Sequence, residues 1–237
     1  KSKGPTRTWQ SLVNINNVGM NIKNGWLDKE ENVEAIIKNG KPTSHFYSLY
    51  SDKSLGVCWH YSNPVWSSLS SAKEVCELLL KEEASASWHG MISKAGTFYQ
   101  CISFNKGSWH VGKPGIIKGH KVENVNRYLL GIEVENEGHL RKIDGSFYSW
   151  PWKKDDSLKS EGVLINEGEF KNHYFAPFTD QQISCAKALI LALKEEYKFE
   201  REDFMYQHHQ FDPDRKDDIG PLWMDYILPK LLDEIYL

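Results

Sequence analysis

Along Leu55-Gly-Val-Cys-Trp-His-Tyr-Ser62 every second residue is large and apolar, so Leu55, Val57, Trp59 and Tyr61 share one face and Gly56, Cys58, His60 and Ser62 the other. That period of two predicts a strand. It returns in Tyr128–Asn136, where Leu130, Ile132 and Val134 lie opposite Gly131, Glu133 and Glu135. Asn63-Pro64 ends the first strand. Ser71-Ala-Lys-Glu74 then has the spacing of a capping box ahead of Val75, Leu78 and Leu79, predicting a helix of about three turns to near Glu83. Trp88–Ser93 and Phe98–Ile102 flank the turn residues Lys94-Ala-Gly-Thr97 as arms of a hairpin. A second capping box, Thr179-Asp-Gln-Gln182, precedes Ile183, Ala186, Ile190, Leu193 and Tyr197 at helical spacing. Leu222–Ile235 predicts a last amphipathic helix with Leu231 and Leu232 inward.

Strand, helix, hairpin, strand, helix and helix describe an α/β fold, a single domain with a central mixed β-sheet flanked by helices. That unit is expected over residues 51–237, after an N-terminal extension of residues 1–50. Within the extension, Val33, Ile36 and Ile37 are spaced for one face of a helix over Asp28–Lys38. Residues 138–178 form an insertion too long for a simple connection. Its Phe147-Tyr-Ser-Trp-Pro-Trp152 cluster reads equally as a substrate rim and as a hydrophobic cap.

The chain has 237 residues, 40% hydrophobic and 26% charged, enough for one sizeable core. A net charge of −3 argues against a nucleic-acid partner. No apolar run is long enough to span a bilayer and no signal-peptide core is visible, while Lys1 at the first position leaves a removed leader open. Cys58, Cys76, Cys101 and Cys185 form no CxxC pair and sit in hydrophobic segments, so they read as buried thiols rather than a metal cluster or a disulfide framework. Nine tryptophans can fill a core or form platforms for sugar rings.

The chemistry concentrates in His208-His-Gln-Phe-Asp-Pro-Asp-Arg-Lys-Asp-Asp-Ile-Gly-Pro221. A histidine and a downstream carboxylate, joined by a loop with Pro213 and stopped by Gly220-Pro221, can converge on a divalent metal if a third ligand comes from elsewhere. His60 stands near the end of a predicted strand, where side chains are rigidly held yet open to a cleft, although a lone strand histidine is more often a hydrogen-bonded core residue. His89 reads chiefly as a core histidine, and His110 in Ser108-Trp-His-Val-Gly112 can contact substrate, bind metal or pack. Glu133, amid apolar neighbours, is costly to bury without a cation, a water or an exit to solvent.

The ordered set His60-Tyr-Ser, Ser87-Trp-His with Gly96-Thr and Gln100, Trp109-His-Val-Gly112, Gly131-Ile-Glu-Val134, and His208 with Arg215-Lys-Asp-Asp-Ile-Gly-Pro221 resembles the zinc-dependent N-acetylmuramoyl-L-alanine amidases. These share the type 2 amidase fold with peptidoglycan recognition proteins and several phage endolysins. The resemblance covers about residues 55–228. It implies zinc ligands at His60, His208 and Asp218, with His209 a neighbour that the ten-residue spacing to Asp218 disfavours. It also implies Glu133 as the proton-transferring carboxylate, Lys216 as the oxyanion-stabilising cation, and His110, Trp88 and Trp109 as substrate-facing positions. Gln207 and Ile219 depart from the family's usual glycine and proline. The implied activity is zinc-assisted hydrolysis of the amide between N-acetylmuramic acid and L-alanine, on peptidoglycan or a soluble muropeptide. A non-catalytic peptidoglycan-binding protein on the same fold is the alternative.

Overall fold

The computed structural model describes residues 19–28, 32–37, 41–49, 54–62, 71–149 and 161–237. Its centre is a six-stranded mixed sheet built from β1 (Val33–Ala35), β2 (Gly56–Tyr61), β3 (Gly90–Ile92), β4 (Phe98–Gln100), β5 (Leu129–Val134) and β6 (Tyr206–Gln207). The spatial order is β6-β2-β5-β3-β4-β1. β5 runs parallel to both β2 and β3, and β6 parallel to β2, while the β3–β4 hairpin is antiparallel and β1 lies parallel to β4. The helix expected over Asp28–Lys38 is instead the edge strand β1 at its described positions: Val33 and Ile36 are buried but Ile37 is half exposed, and the pairing with β4 decides the conformation. An apolar spacing of three fits one helix face and equally a short strand followed by a bend.

The helices are α1 (Ala72–Glu77), α2 (Asp180–Tyr197), α3 (His208–Phe211) and α4 (Leu228–Tyr236). α1 is shorter than expected and tightens into a 3₁₀ turn at Leu78–Leu80. Ahead of α4, Leu222–Ile227 form a π-helical turn; Pro229 has no N–H to give the preceding turn, so a regular α-helix cannot run through. α2 carries a complete capping box, with Thr179 Oγ1 accepting from Gln182 N at 3.1 Å and Gln182 Oε1 accepting from Thr179 N at 3.0 Å.

One face of the sheet is the main core. Val57, Trp59 and Tyr61 of β2 and Leu130, Ile132 and Val134 of β5 pack there with Ile183, Leu189 and Leu193 of α2 and Leu228 and Leu232 of α4. The opposite face is covered in two separate places. Ala72, Cys76 and Leu79 sit on Met91 and Cys101 toward one side, and Val111, Ile117 and Val125 sit on Cys58 and Leu129 toward the other. Strict alternation suggests a sheet with one wet face, yet all of β2 is buried, because its polar face lies beneath these covers. The gap between them is a cleft.

At the described positions of residues 138–178, His139–Ile143, Ser146–Ser149, Val163–Leu164 and Tyr174–Phe175 form a four-stranded antiparallel sheet. Phe147 packs on Tyr174 at 5.0 Å, and Trp150, Pro151 and Trp152 lie outside the described residues. All four cysteines are buried free thiols. Among the described residues no helix is long and apolar enough to cross a membrane. Replacing Thr179 with alanine removes the cap of α2; urea denaturation should show a loss of about 1 kcal/mol.

Candidate active site

Parallel pairing puts His60 of β2 directly beside Glu133 of β5, with both side chains on the cleft face at the C-terminal ends of their strands. β6 then sets the neighbouring position. Gln207 pairs with Trp59, and the chain turns into α3 at once, so His208 emerges beside His60. The loop after α3 folds back on itself, Arg215 N and Lys216 N both donating to Asp212 O. It returns Asp218 to the same point, where His209 N donates to Asp218 O at 2.9 Å.

Three ligand-type atoms meet there. His60 Nδ1 is 3.0 Å from His208 Nδ1 and 3.0 Å from Asp218 Oδ2, and His208 Nδ1 is 3.1 Å from the same oxygen. Tetrahedral zinc with bonds of about 2.0–2.1 Å spaces its ligands about 3.3 Å apart, so this trio has the dimensions of a metal-binding face. Among the described residues a second group, Cys58, His60 and His110, is also close enough for a metal. It fits less well, because burial, then the charges of Asp218 and Glu133, push the Cys58 thiol up and oppose the thiolate that a metal requires. The two groups share His60, and only the first holds a carboxylate.

Electrostatics agree with the first group. Burial alone would raise the Asp218 carboxyl, but hydrogen bonds from His208 and His60 outweigh it and hold the group well below the usual carboxylate range. Burial lowers His60 to about 4 against the pull of Asp218, so its ring is neutral at pH 7. Burial, then the neighbouring His60, His89 and His208, likewise keep His110 neutral. A carboxylate and neutral imidazoles are the protonation states of metal ligands. Among the described residues, His208 Nε2 and Glu133 Oε2 are buried without a hydrogen-bond partner.

Residues 51–221 match the family described as N-acetylmuramoyl-L-alanine amidase. The chain belongs to this amidase family. No curated protein matches the sequence significantly. Among solved structures, a selenomethionine derivative of AmpD superposes with a TM-score of 0.56 at 17% identity, covering 89% of this chain and 98% of that one. AmiD from E. coli, solved with the substrate anhydro-N-acetylmuramic acid-L-Ala-D-gamma-Glu-L-Lys, gives 0.51 at 20% identity, covering 90% of this chain and 65% of that one. These likenesses establish the fold. Family membership makes the chain an amide hydrolase of N-acetylmuramoyl-L-alanine linkages.

The eight residues singled out from the sequence all line one cleft of about 620 Å³: His60, Trp88, Trp109, His110, Glu133, His208, Lys216 and Asp218. Lys216 Nζ lies 3.7 Å from Asp218 Oδ1, on the solvent side of the trio. Trp109 is locked by Ser87, which donates its N–H to Trp109 O at 3.1 Å and accepts from Trp109 N at 2.8 Å. Both ring nitrogens of His110 are engaged within the amidase, by His60 and by Leu129 O. His89 is buried beneath the cleft floor, taking Gly131 N–H on Nδ1 and giving Nε2–H to Lys106 O, a wholly structural role. His209 bonds Lys216 O and Glu169, so it braces the loop from outside.

Sequence periodicity missed the supports of this site. Asn126 Oδ1 accepts from the backbone N–H groups of His110, Val111 and Gly112, at 3.2, 2.7 and 3.1 Å, and so shapes the loop that carries His110. Nothing marks Asn126 in its polar, turn-rich stretch. The four-stranded sheet and β2 brace the Asp218 loop: His139 Nδ1 is 3.3 Å from Asp217 Oδ2, and Tyr61 Oη donates to Asp217 Oδ1. Gly220, at φ +83°, has the Phe175 ring where a Cβ would stand, 2.7 Å from its nearest carbon. Among the described residues of 138–178 none lines the cleft.

Burial, then the charge of Asp218, raises Glu133 to about 8, with Lys216 opposing. The metal-free folded state thus holds a proton on Glu133 that the unfolded chain releases near 4.5, so this group's contribution to stability is full below pH 4.5 and is lost as pH rises through 8. Thermal unfolding of the metal-free amidase across that range should show the decline, and Glu133→Gln should flatten it.

Proposed function

We propose that this amidase cleaves the bond between the lactyl group of N-acetylmuramic acid and L-alanine in peptidoglycan or a muropeptide, with zinc held by His60, His208 and Asp218. The observation that carries the reading is the convergence of those three ligand atoms, 3.0–3.1 Å apart, beside a buried carboxylate. Zinc bound by two imidazoles and one carboxylate at this position would lower the pKa of a water and polarise the amide carbonyl.

Around that position the chain's own groups divide the work. Glu133 takes a proton from the attacking water and returns it to the departing L-alanine nitrogen, so the amine leaves neutral. Its place on β5, directly beside His60, puts this carboxyl next to the ligand trio. Lys216, facing the cleft, meets the negative charge that develops on the carbonyl oxygen as the carbon becomes tetrahedral. Trp88 and Trp109 offer flat apolar walls to the sugar or the stem peptide, and His110 closes the floor between them. The catalytic unit is assigned to residues 51–237, with residues 1–50 an extension and 138–178 an insertion. The muramyl peptide bound to AmiD, a structure of the same fold, supports a substrate of this chemistry. Because every catalytic role has a candidate in one cleft, hydrolysis is favoured over binding without cleavage.

Metal analysis and a cell-wall digestion assay test the assignment. His60→Ala and Asp218→Ala should each lose most bound zinc; stoichiometric zinc in both would overturn the ligand set. Glu133→Gln should keep its zinc and lose turnover by roughly 10²–10⁴-fold, measured as freed alanine amino termini. Near-normal release would remove Glu133 from the mechanism.

A further inference from the structure

We infer that His45, from the N-terminal extension, is a positioning residue for substrate binding, tying Trp109 to the segment 81–88 so that two parts of one cleft wall are held together. The inference rests on the reading, proposed above, of Trp109 as a wall for the sugar or the stem peptide.

The family match begins at residue 51, so His45 lies outside it. Its segment is nonetheless built into the amidase. Phe46–Tyr47 pair antiparallel with Gly107–Ser108, immediately before Trp109. Ser87 Oγ donates to His45 O at 2.5 Å and accepts from Trp109 N at 2.8 Å, so one hydroxyl joins the two backbones. On the other side Arg127 gives an Nη1 hydrogen to Ser48 O at 3.2 Å and lies over the Tyr47 ring, 4.6 Å from its centroid.

The His45 side chain makes two contacts. Its Nε2 donates to Lys81 O at 2.9 Å, since a backbone carbonyl only accepts. The ring meets Trp109 edge to face, 5.0 Å between centroids and 83° between planes, a geometry aromatic pairs prefer. Tyr47 packs on the same indole at 5.8 Å. Lys81, Ala84, Ser87, Trp88 and Trp109 all line the cleft, and His45 is buried behind them. A half-buried indole at a wall is free to change rotamer unless something packs it from behind. Backed by His45 it is pre-set, and substrate does not have to order it on binding.

Steady-state kinetics of the full-length, zinc-loaded enzyme on a soluble muramyl peptide test this. Losing a contact made equally to substrate and transition state raises KM and leaves kcat, whereas a merely structural histidine would lower the active fraction, so that apparent kcat falls and KM stays. His45→Ala should raise KM roughly 10-fold, the scale of one hydrogen bond plus one aromatic contact, with kcat and zinc content unchanged. His45→Gln keeps a donor near the place of Nε2, and His45→Phe keeps the ring on Trp109 while Lys81 O retains its bond from Ala84 N. Each should recover part of the loss. Added to Trp109→Ala, His45→Ala should raise KM little further, because it acts through that indole. An unchanged KM in His45→Ala, or effects of the two substitutions that simply multiply, would overturn the role. If Trp109→Ala itself left KM unchanged, the wall reading would fall and this role with it, an outcome distinct from a Trp109-sensitive enzyme indifferent to His45. Should His45→Ala not fold, His45→Gln and His45→Phe decide by the same split.

Discussion

Polar groups that converge on one buried point are costly to bury unless protons or a cation bridge them. His60 Nδ1, His208 Nδ1 and Asp218 Oδ2 converge in this way, and all three residues are at least 97% buried. Much of the surrounding architecture can be understood as what holds these groups together despite that cost. The main core anchors β2 and β5 through their apolar faces, the β6–α3 junction fixes His208, and the Asp218 loop is tied back by its own backbone hydrogen bonds. The proposed zinc is the charge that would turn this arrangement from a cost into a binding site.

The sheet supplies the geometry. Parallel pairing in register sets His60 and Glu133 side by side, and the two covers on that face leave only the space between them open. Proposed acid–base and metal chemistry thus sit on rigid strand ends, while the cation, Lys216, comes from a loop and stays partly exposed. A rigid floor and an adaptable rim suit a site in which one proton transfer demands exact placement and a long charged side chain follows developing charge.

The four-stranded sheet gives the fold a second way to hold the Asp218 loop. Its His139 and Phe175 press on Asp217 and Gly220, on either side of Asp218 and Ile219. Ile219 is buried in the main core. The loop is therefore positioned by packing from below and by polar contacts from the four-stranded sheet, rather than by local backbone restriction at position 219.

Several elements were legible in the amino-acid order alone. Period-two stretches located β2 and β5, capping signatures located the starts of α1 and α2, and the ordered motifs pointed to eight residues that share one cleft. These signals are local, because side-chain direction and helix caps depend on near neighbours. Long-range pairing was not legible. Val33–Ala35 became a strand only because β4 offers it an edge, and residues 138–149 and 161–175 became a sheet through pairings that no single segment announces. The choice of His208 over His209 as the residue beside His60 was settled by the β6 register. Sequence determined which side chains the strands present; only tertiary structure decided which of them meet, since contact between residues 148 or 158 positions apart depends on how the whole sheet closes.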